Sequence, residues 1–241
     1  TRDSFPTEKE LVEAMSEVLA PLRDRPCVVR LMDIGGDKEL PFLESFSESN
    51  PFLGRRGIRL LLSYPELLEV QLRAMIRLSR DFDLQIMVPM VTVAEDMRQV
   101  REALRTTASE MGVPDPPPLV ALIETPAAAL CTAEIARHAD SLSVGTNDLT
   151  QYTMAAGRDN PLVAHYFQDD HPAVLRLLRM VCRESGDKPV FVCGELAGRL
   201  EAVEALLQAG VRMLSVAPPL IPSVKQAVRQ VHIETPSQSS S

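Results

Sequence analysis

Seven short apolar runs rich in β-branched residues punctuate this chain, and segments of helical period separate them. That alternation limits its fold more than any other feature. The runs are Cys27–Arg30, Ile58–Leu61, Leu84–Val88, Leu119–Ile123, Ser141–Val144, Val190–Val192 and Met213–Val216. They read as nearly continuous apolar stretches, as parallel strands covered on both faces do. Between them, Val93, Met97, Val100, Leu104 and Ala108 share one helical face. Thr7-Glu-Lys-Glu10 and Thr92-Val-Ala-Glu95 have the spacing of capping boxes. Pro65, Pro126, Pro172 and Pro222 suit first-turn positions, and Gly210 suits the end of the helix holding Val203, Leu206 and Leu207. Strand–helix–strand order predicts a parallel sheet, either closed as a barrel or doubly wound. No G-x-G-x-x-G segment is present, which disfavours a dinucleotide-binding open sheet. The expected fold is a (β/α)8 barrel. With seven strands in place of eight, the first is expected to be missing, the chain beginning just after it at Thr1-Arg2-Asp3.

A chain of 241 residues suits one large domain. The domain is expected over residues 1–231, followed by a polar, disordered tail over 232–241. Met111–Pro118, with its four prolines, reads as a stiff surface loop. Aromatic residues are only 4% and Trp is absent, so aliphatic side chains and Met must fill the core. Lys+Arg 25 against Asp+Glu 33 leaves a net charge of −8, which argues against a nucleic acid or a membrane surface as partner. It leaves room for a small anionic substrate, because a local arginine cluster outweighs the global charge. No apolar run approaches the ~18 residues of a membrane span, and the N-terminus is no signal peptide. Cys27, Cys131, Cys182 and Cys193 form no C-x-x-C pair, so a reduced, cytoplasmic setting is expected.

Reactive groups gather where the apolar runs end. Leu119–Ile123 runs into Glu124-Thr-Pro, Ser141–Val144 into Gly145-Thr-Asn-Asp148, and Val190–Val192 into Cys193-Gly-Glu. Carboxyl ends of parallel strands are where barrel active sites form. Glu124 and Asp148, after successive strands, offer the hard oxygen ligands that Mg2+ takes. Each could alternatively cap the helix that follows, but capping explains one acid at a time and not both beside Asn147. Arginines crowd the same ends: Arg30 closes a strand, Arg55, Arg56 and Arg59 lie in one segment, and Arg158 follows the Asn-Asp element. Arg2 sits where a missing first strand would end. Guanidinium forks match phosphate and carboxylate oxygens, so the set suggests a small, doubly anionic substrate. For Arg55 and Arg59 a solvated arginine paired with a surface carboxylate is the better reading. Cys193 could be a nucleophile, a proton donor or a buried structural thiol; Cys27, Cys131 and Cys182 read as structural. His138, His171 and His232 sit near helix ends as caps or surface groups, and His165 lies in a loop. Asp33-Ile-Gly-Gly-Asp-Lys38 is a loop that could support the mouth, without the P-loop pattern.

Arg30-Leu-Met-Asp-Ile-Gly-Gly-Asp-Lys-Glu-Leu-Pro-Phe42, Asn50-Pro-Phe-Leu-Gly-Arg-Arg-Gly-Ile-Arg59, Glu124-Thr-Pro-Ala-Ala-Ala129, Gly145-Thr-Asn-Asp-Leu-Thr-Gln-Tyr152 and Cys193-Gly-Glu-Leu-Ala-Gly198 carry a resemblance. They are similar to the C-terminal phosphoenolpyruvate-binding barrel of enzyme I of the bacterial sugar phosphotransferase system. Pyruvate phosphate dikinase and phosphoenolpyruvate synthase share parts of the pattern, and the Asp-Ile-Gly-Gly-Asp-Lys-Glu-Leu-Pro run favours enzyme I. The resemblance covers Arg2 to about Val231 and implies a barrel of the phosphoenolpyruvate/pyruvate type. It implies that Glu124 and Asp148 bind Mg2+, and that Arg2, Arg30, Arg56 and Arg158 grip phosphoenolpyruvate with Asn147 and Asp148 beside them. It also implies that Cys193 protonates the enolate carbon as pyruvate forms. Implied partners are a phosphoacceptor histidine domain, a phosphocarrier protein and a second copy of the chain in a homodimer.

The chain holds no recognisable acceptor-histidine or carrier-binding domain, so alone it is expected to bind phosphoenolpyruvate without an internal acceptor. An absent first strand would leave an open seam of unpaired backbone groups beside Arg2. Two other functions fit the same residues. One is a Mg2+-dependent lyase or aldolase acting on pyruvate-like substrates, which would need fewer arginines. The other is a non-catalytic module that senses phosphoenolpyruvate.

Overall fold

A computed structural model describes residues 4–35 and 48–232. Its centre is one parallel, curled sheet of six strands in sequential order. The strands are β1 (Cys27–Arg30), β2 (Leu84–Val91), β3 (Leu119–Ile123), β4 (Ser141–Gly145), β5 (Val190–Cys193) and β6 (Met213–Leu214). The helices are α1 (Glu8–Leu19), α2 (Ile58–Ser63), α3 (Pro65–Leu78), α4 (Ala94–Glu110), α5 (Pro126–Leu130), α6 (Thr132–Ala136), α7 (Thr146–Met154), α8 (Pro172–Glu184), α9 (Val203–Gln208) and α10 (Ile221–Gln230). Each strand is hydrogen-bonded to the next, from Cys27↔Leu84 at one end to Val192↔Leu214 at the other. Among the described residues no ladder joins β6 to β1, so the sheet covers part of a barrel and an eight-stranded closure is not seen.

Two faces of the sheet bury different things. Ile86, Val88, Leu119, Ala121, Ile123, Leu142, Val144, Val190 and Val192 join one large cluster with Leu72, Met75, Met97, Val100, Leu104, Ile135, Val174, Leu178 and Val181 from the helices. The alternate residues Met87, Val120 and Leu122, with Phe191 and Cys193, form a separate, smaller cluster on the inner face. Strand side chains alternate between faces, so Glu124 continues the inner row of Val120 and Leu122, and Cys193 continues that of Phe191.

Local signals explain most element ends. Thr7 and Glu10 form the capping box of α1, with Glu10 N–H on Thr7 Oγ1 at 3.3 Å and Thr7 N–H on Glu10 Oε2 at 2.8 Å. Pro65, Pro126 and Pro172 open α3, α5 and α8, and Pro222 sits in the first turn of α10. His171 caps α8, its Nδ1 accepting the N–H of Ala173 at 3.2 Å. Gly210 follows α9 with φ +108°.

Four expectations need correction. Ile58–Leu61 is not a strand; it lies in α2, with Ile58 and Leu61 one turn apart on the buried side. Six strands therefore replace seven, and β6 is limited to Met213–Leu214. At α4 the capping carboxylate is Asp96, which accepts from the N–H groups of Thr92 at 2.8 Å and Val93 at 3.0 Å, while Glu95 turns outward to Arg98. Val93 lies just before α4 and is 49% exposed, so it leaves the buried face that Met97, Val100, Leu104 and Ala108 share. Arg2 and the tail from residue 233 lie outside the described residues.

Candidate functional site

The carboxyl ends of the central strands bring together groups far apart in sequence. Glu124 follows β3 on the inner face and is buried. Asp148 lies in the first turn of α7, directly after β4, and is also buried. Asp33 joins them from the segment after β1. One ligand oxygen from each of Asp33, Glu124 and Asp148 lies within 4.8 Å of the others. Three hard oxygen donors at that spacing make a set that a divalent cation such as Mg2+ would fit.

Arg56 is wedged among them. Its Nη2 lies 2.8 Å from Asp33 Oδ2 and 3.2 Å from Asp148 Oδ2; its Nε and Nη1 reach the other oxygens of the same two acids at 3.2 Å each. Burial opposes the guanidinium charge, but the ion pairs with Asp33 and Asp148 outweigh it and hold the pKa above its ordinary value. Gly57 makes this approach possible. It adopts φ +53°, and a Cβ there would meet Met90 Cβ at 2.8 Å and Asp33 Oδ1 at 3.2 Å. Gly145 likewise gives Glu124 its room, since a Cβ would fall 2.8 Å from Glu124 Oε2.

Glu124 accepts the Met90 N–H at 2.6 Å. That donor is aimed by an irregularity in β2: the pairing with β3 shifts between Val88 and Val91, and Met90 takes φ +58°, a region non-glycine residues seldom occupy. Despite this bond, burial and then the neighbouring Asp148 push the Glu124 carboxyl up to about 8. The folded chain holds a proton on Glu124 that the unfolded chain, with the ordinary glutamate pKa near 4.5, has lost. Stability contributed by this group is therefore complete below about pH 4.5 and falls as pH rises to about 8, by a few kcal/mol. Urea unfolding in a chelator, repeated over that range, should show the decline for wild type and its loss in Glu124→Gln.

Cys193 ends β5 on the inner face. Ser143 Oγ donates to its Sγ at 3.4 Å, and the thiol points at the Val144 carbonyl at 3.6 Å. Burial pushes the Cys193 pKa up, with the Ser143 hydrogen bond pulling the other way. A thiol in that setting stays protonated near neutrality and is equipped to donate. Among the other cysteines, Cys27 is buried and bonds the Asp83 carbonyl, while Cys131 is exposed at the α5–α6 junction.

The remaining predicted residues are placed less uniformly. Arg30 reaches Asp33 at 3.4 Å and is about half exposed. Asn147 accepts the Glu195 N–H at 3.0 Å, tying the start of α7 to the turn after Cys193. Arg158 pairs with Asp159 at 3.8 Å, and its N–H bonds Gln151. Arg59 donates to the Leu53 carbonyl and Thr92 Oγ1, so it braces the loop rather than pairing with a surface carboxylate. Asp33, Ser143 and Tyr152 lie in or beside segments that the sequence marks, but sequence reasoning gave none of them a role of its own. Period-2 spacing from Ser141 to Ser143 to Gly145 could have revealed Ser143; Asp33 and Tyr152 gave no local signal beyond their motifs.

These features define a parallel α/β domain with a buried carboxylate–arginine site and a protonated thiol at its strand ends. The family described as PEP-utilising enzyme, PEP-binding domain, matches residues 1–233, and the chain belongs to that family. It is 45% identical over 231 residues to a multiphosphoryl transfer protein of Xanthomonas campestris pv. campestris, covering 95% of this chain and 27% of that protein. It is 43% identical to a phosphoenolpyruvate-protein phosphotransferase of Listeria monocytogenes, covering 90% of this chain and 39% of the relative. A phosphoenolpyruvate-protein phosphotransferase of Haemophilus influenzae is 38% identical, with 97% and 42% covered. The chain thus spans well under half the length of these relatives. Among the described residues no helix is long and apolar enough to cross a membrane.

Proposed function

We propose that this domain, as part of a (β/α)8 barrel, binds phosphoenolpyruvate with Mg2+ and passes its phosphoryl group to a histidine on a separate domain, releasing pyruvate. The observation that carries this reading is the burial of Glu124 and Asp148 at adjacent strand ends with Arg56 forked across Asp33 and Asp148, in a chain of the PEP-binding family. The names of the relatives support transfer to a protein acceptor, and in the intact system that acceptor would load a phosphocarrier.

Glu124 and Asp148 hold the ion in this reading, and Asp33 lies close enough to join them. Mg2+ held there would supply charge neutralisation to an anionic substrate. Arg56 and Arg30, joined by Arg2 and Arg158, grip the phosphate and carboxylate, with Asn147 beside them. Phosphoryl transfer depends on positioning and charge stabilisation more than on covalent help, so arginine forks on a rigid strand-end platform suit it. Cys193 gives its proton to the methylene carbon of the enolate, and Ser143 Oγ–H is placed to stabilise the thiolate that remains.

Calorimetric titration of the chain with phosphoenolpyruvate tests the reading. Binding is expected in Mg2+ and is expected to vanish in a chelator. A folded sample that binds phosphoenolpyruvate in neither condition overturns the proposal.

A further inference from the structure

Arg56 is held by more than carboxylates. Tyr152 lies on α7 four residues after Asp148, so both side chains project from the same side of the helix. Its hydroxyl donates to the Phe52 carbonyl at 2.5 Å and accepts from Arg56 Nη1 at 3.2 Å. Phe52 belongs to the short turn Pro51–Leu53, and its ring lies 5.9 Å beneath the Arg56 guanidinium carbon. One phenol therefore touches both ends of the segment from Phe52 to Arg56 and stands on the helix that presents Asp148. Burial raises its pKa, which keeps it a donor near neutrality.

We propose that Tyr152 is the positioning residue of Arg56, fastening the Phe52–Arg56 segment to α7 so that the guanidinium is fixed before substrate arrives. This rests on the phosphoenolpyruvate reading above. The geometry explains why ion pairs alone would not serve. Asp148 is shared: as a cation ligand it has less charge to offer Arg56, and the arginine's hold on α7 through that acid weakens when the site is loaded. Tyr152 is neutral and does not ligate the cation, so its grip survives loading. An arginine left loose must be ordered by the substrate, at a cost in affinity.

The test is calorimetry on wild type, Tyr152→Phe, Arg56→Lys and the double variant. The phenylalanine is nearly isosteric, and Tyr152→Met gives a second hydroxyl-free side chain that adapts to the same space. Loss of the hydroxyl is expected to weaken phosphoenolpyruvate binding about tenfold in Mg2+, the scale of one hydrogen bond to a charged group. Affinity for Mg2+ alone should stay within about twofold of wild type. In the Arg56→Lys background the Tyr152 change should cost little more, because both act through one guanidinium. Unchanged phosphoenolpyruvate affinity in Tyr152→Phe, fully additive losses, or an equal loss of Mg2+ binding would each overturn the proposal. Failure of the wild-type chain itself to bind phosphoenolpyruvate would instead overturn the function proposed above, and this inference with it.

Discussion

Arg56→Ala is expected to lose both phosphoenolpyruvate binding and several kcal/mol of stability. The guanidinium faces Asp33 and Asp148 through four hydrogen bonds, and the side chain is 9% exposed. Removing one partner from a buried ion-pair network typically costs about 3–5 kcal/mol, because uncompensated charge stays behind. Here what stays behind is Asp33, Glu124 and Asp148, with ligand oxygens all within 4.8 Å. The deficit should grow only as pH rises above about 8, where wild type gives up the Glu124 proton while the variant, without the guanidinium that lowers this pKa, still holds it. Mg2+ should restore much of the stability, since a divalent cation replaces the lost charge, yet it should not restore substrate affinity. Urea unfolding with and without Mg2+, beside the calorimetric titration, separates the two effects. A variant within about 1 kcal/mol of wild type that still bound phosphoenolpyruvate would refute this account of the site.

The parts of this site that sequence reasoning found are those with local signatures. β3 was readable to the residue because five apolar positions run straight into Glu124 before a Thr-Pro helix start. Asp148 was readable because its helix begins directly after β4. Ile58–Leu61 misled because four residues are too few to separate a buried strand from one buried helical turn. The better clue lay at its ends: Gly57 before it, and Tyr64-Pro65 after it, where α3 restarts.

What was not legible depends on contacts across long stretches of chain. Asp33 bonds Arg56 across 23 residues and Tyr152 bonds Phe52 across 100. Neither residue type is unusual in its own segment. The Met90 backbone is a stronger case. Nothing in Met-Val-Pro-Met-Val marks the fourth residue for positive φ, yet that turn of the backbone gives buried Glu124 its donor. The carboxylate pair was thus visible in sequence, while the groups that set its charge and hold its arginine were not.

Cys193→Ala should leave substrate binding intact and remove the proton transfer. The thiol lies on the inner face, is pushed toward its protonated form by burial, and has Ser143 within 3.4 Å to support the thiolate. Its role can be isolated without an acceptor domain by following exchange of pyruvate methyl hydrogens in deuterated water with Mg2+ present. In that direction a C3–H bond breaks, the thiolate takes the proton, the thiol exchanges with solvent, and a deuteron returns to the carbon. The wild-type rate should climb with pH, because the base is a thiolate whose parent thiol has a raised pKa. In Cys193→Ala exchange should fall by about 10²–10⁴, the usual contribution of a positioned acid–base group. Phosphoenolpyruvate affinity should change by no more than about threefold, since a thiol-to-methyl change removes no charge from the arginine and carboxylate set. Undiminished exchange in the variant would move the proton donor elsewhere, and Cys193 would then be one more apolar neighbour of Leu122 and Phe191 on the inner face.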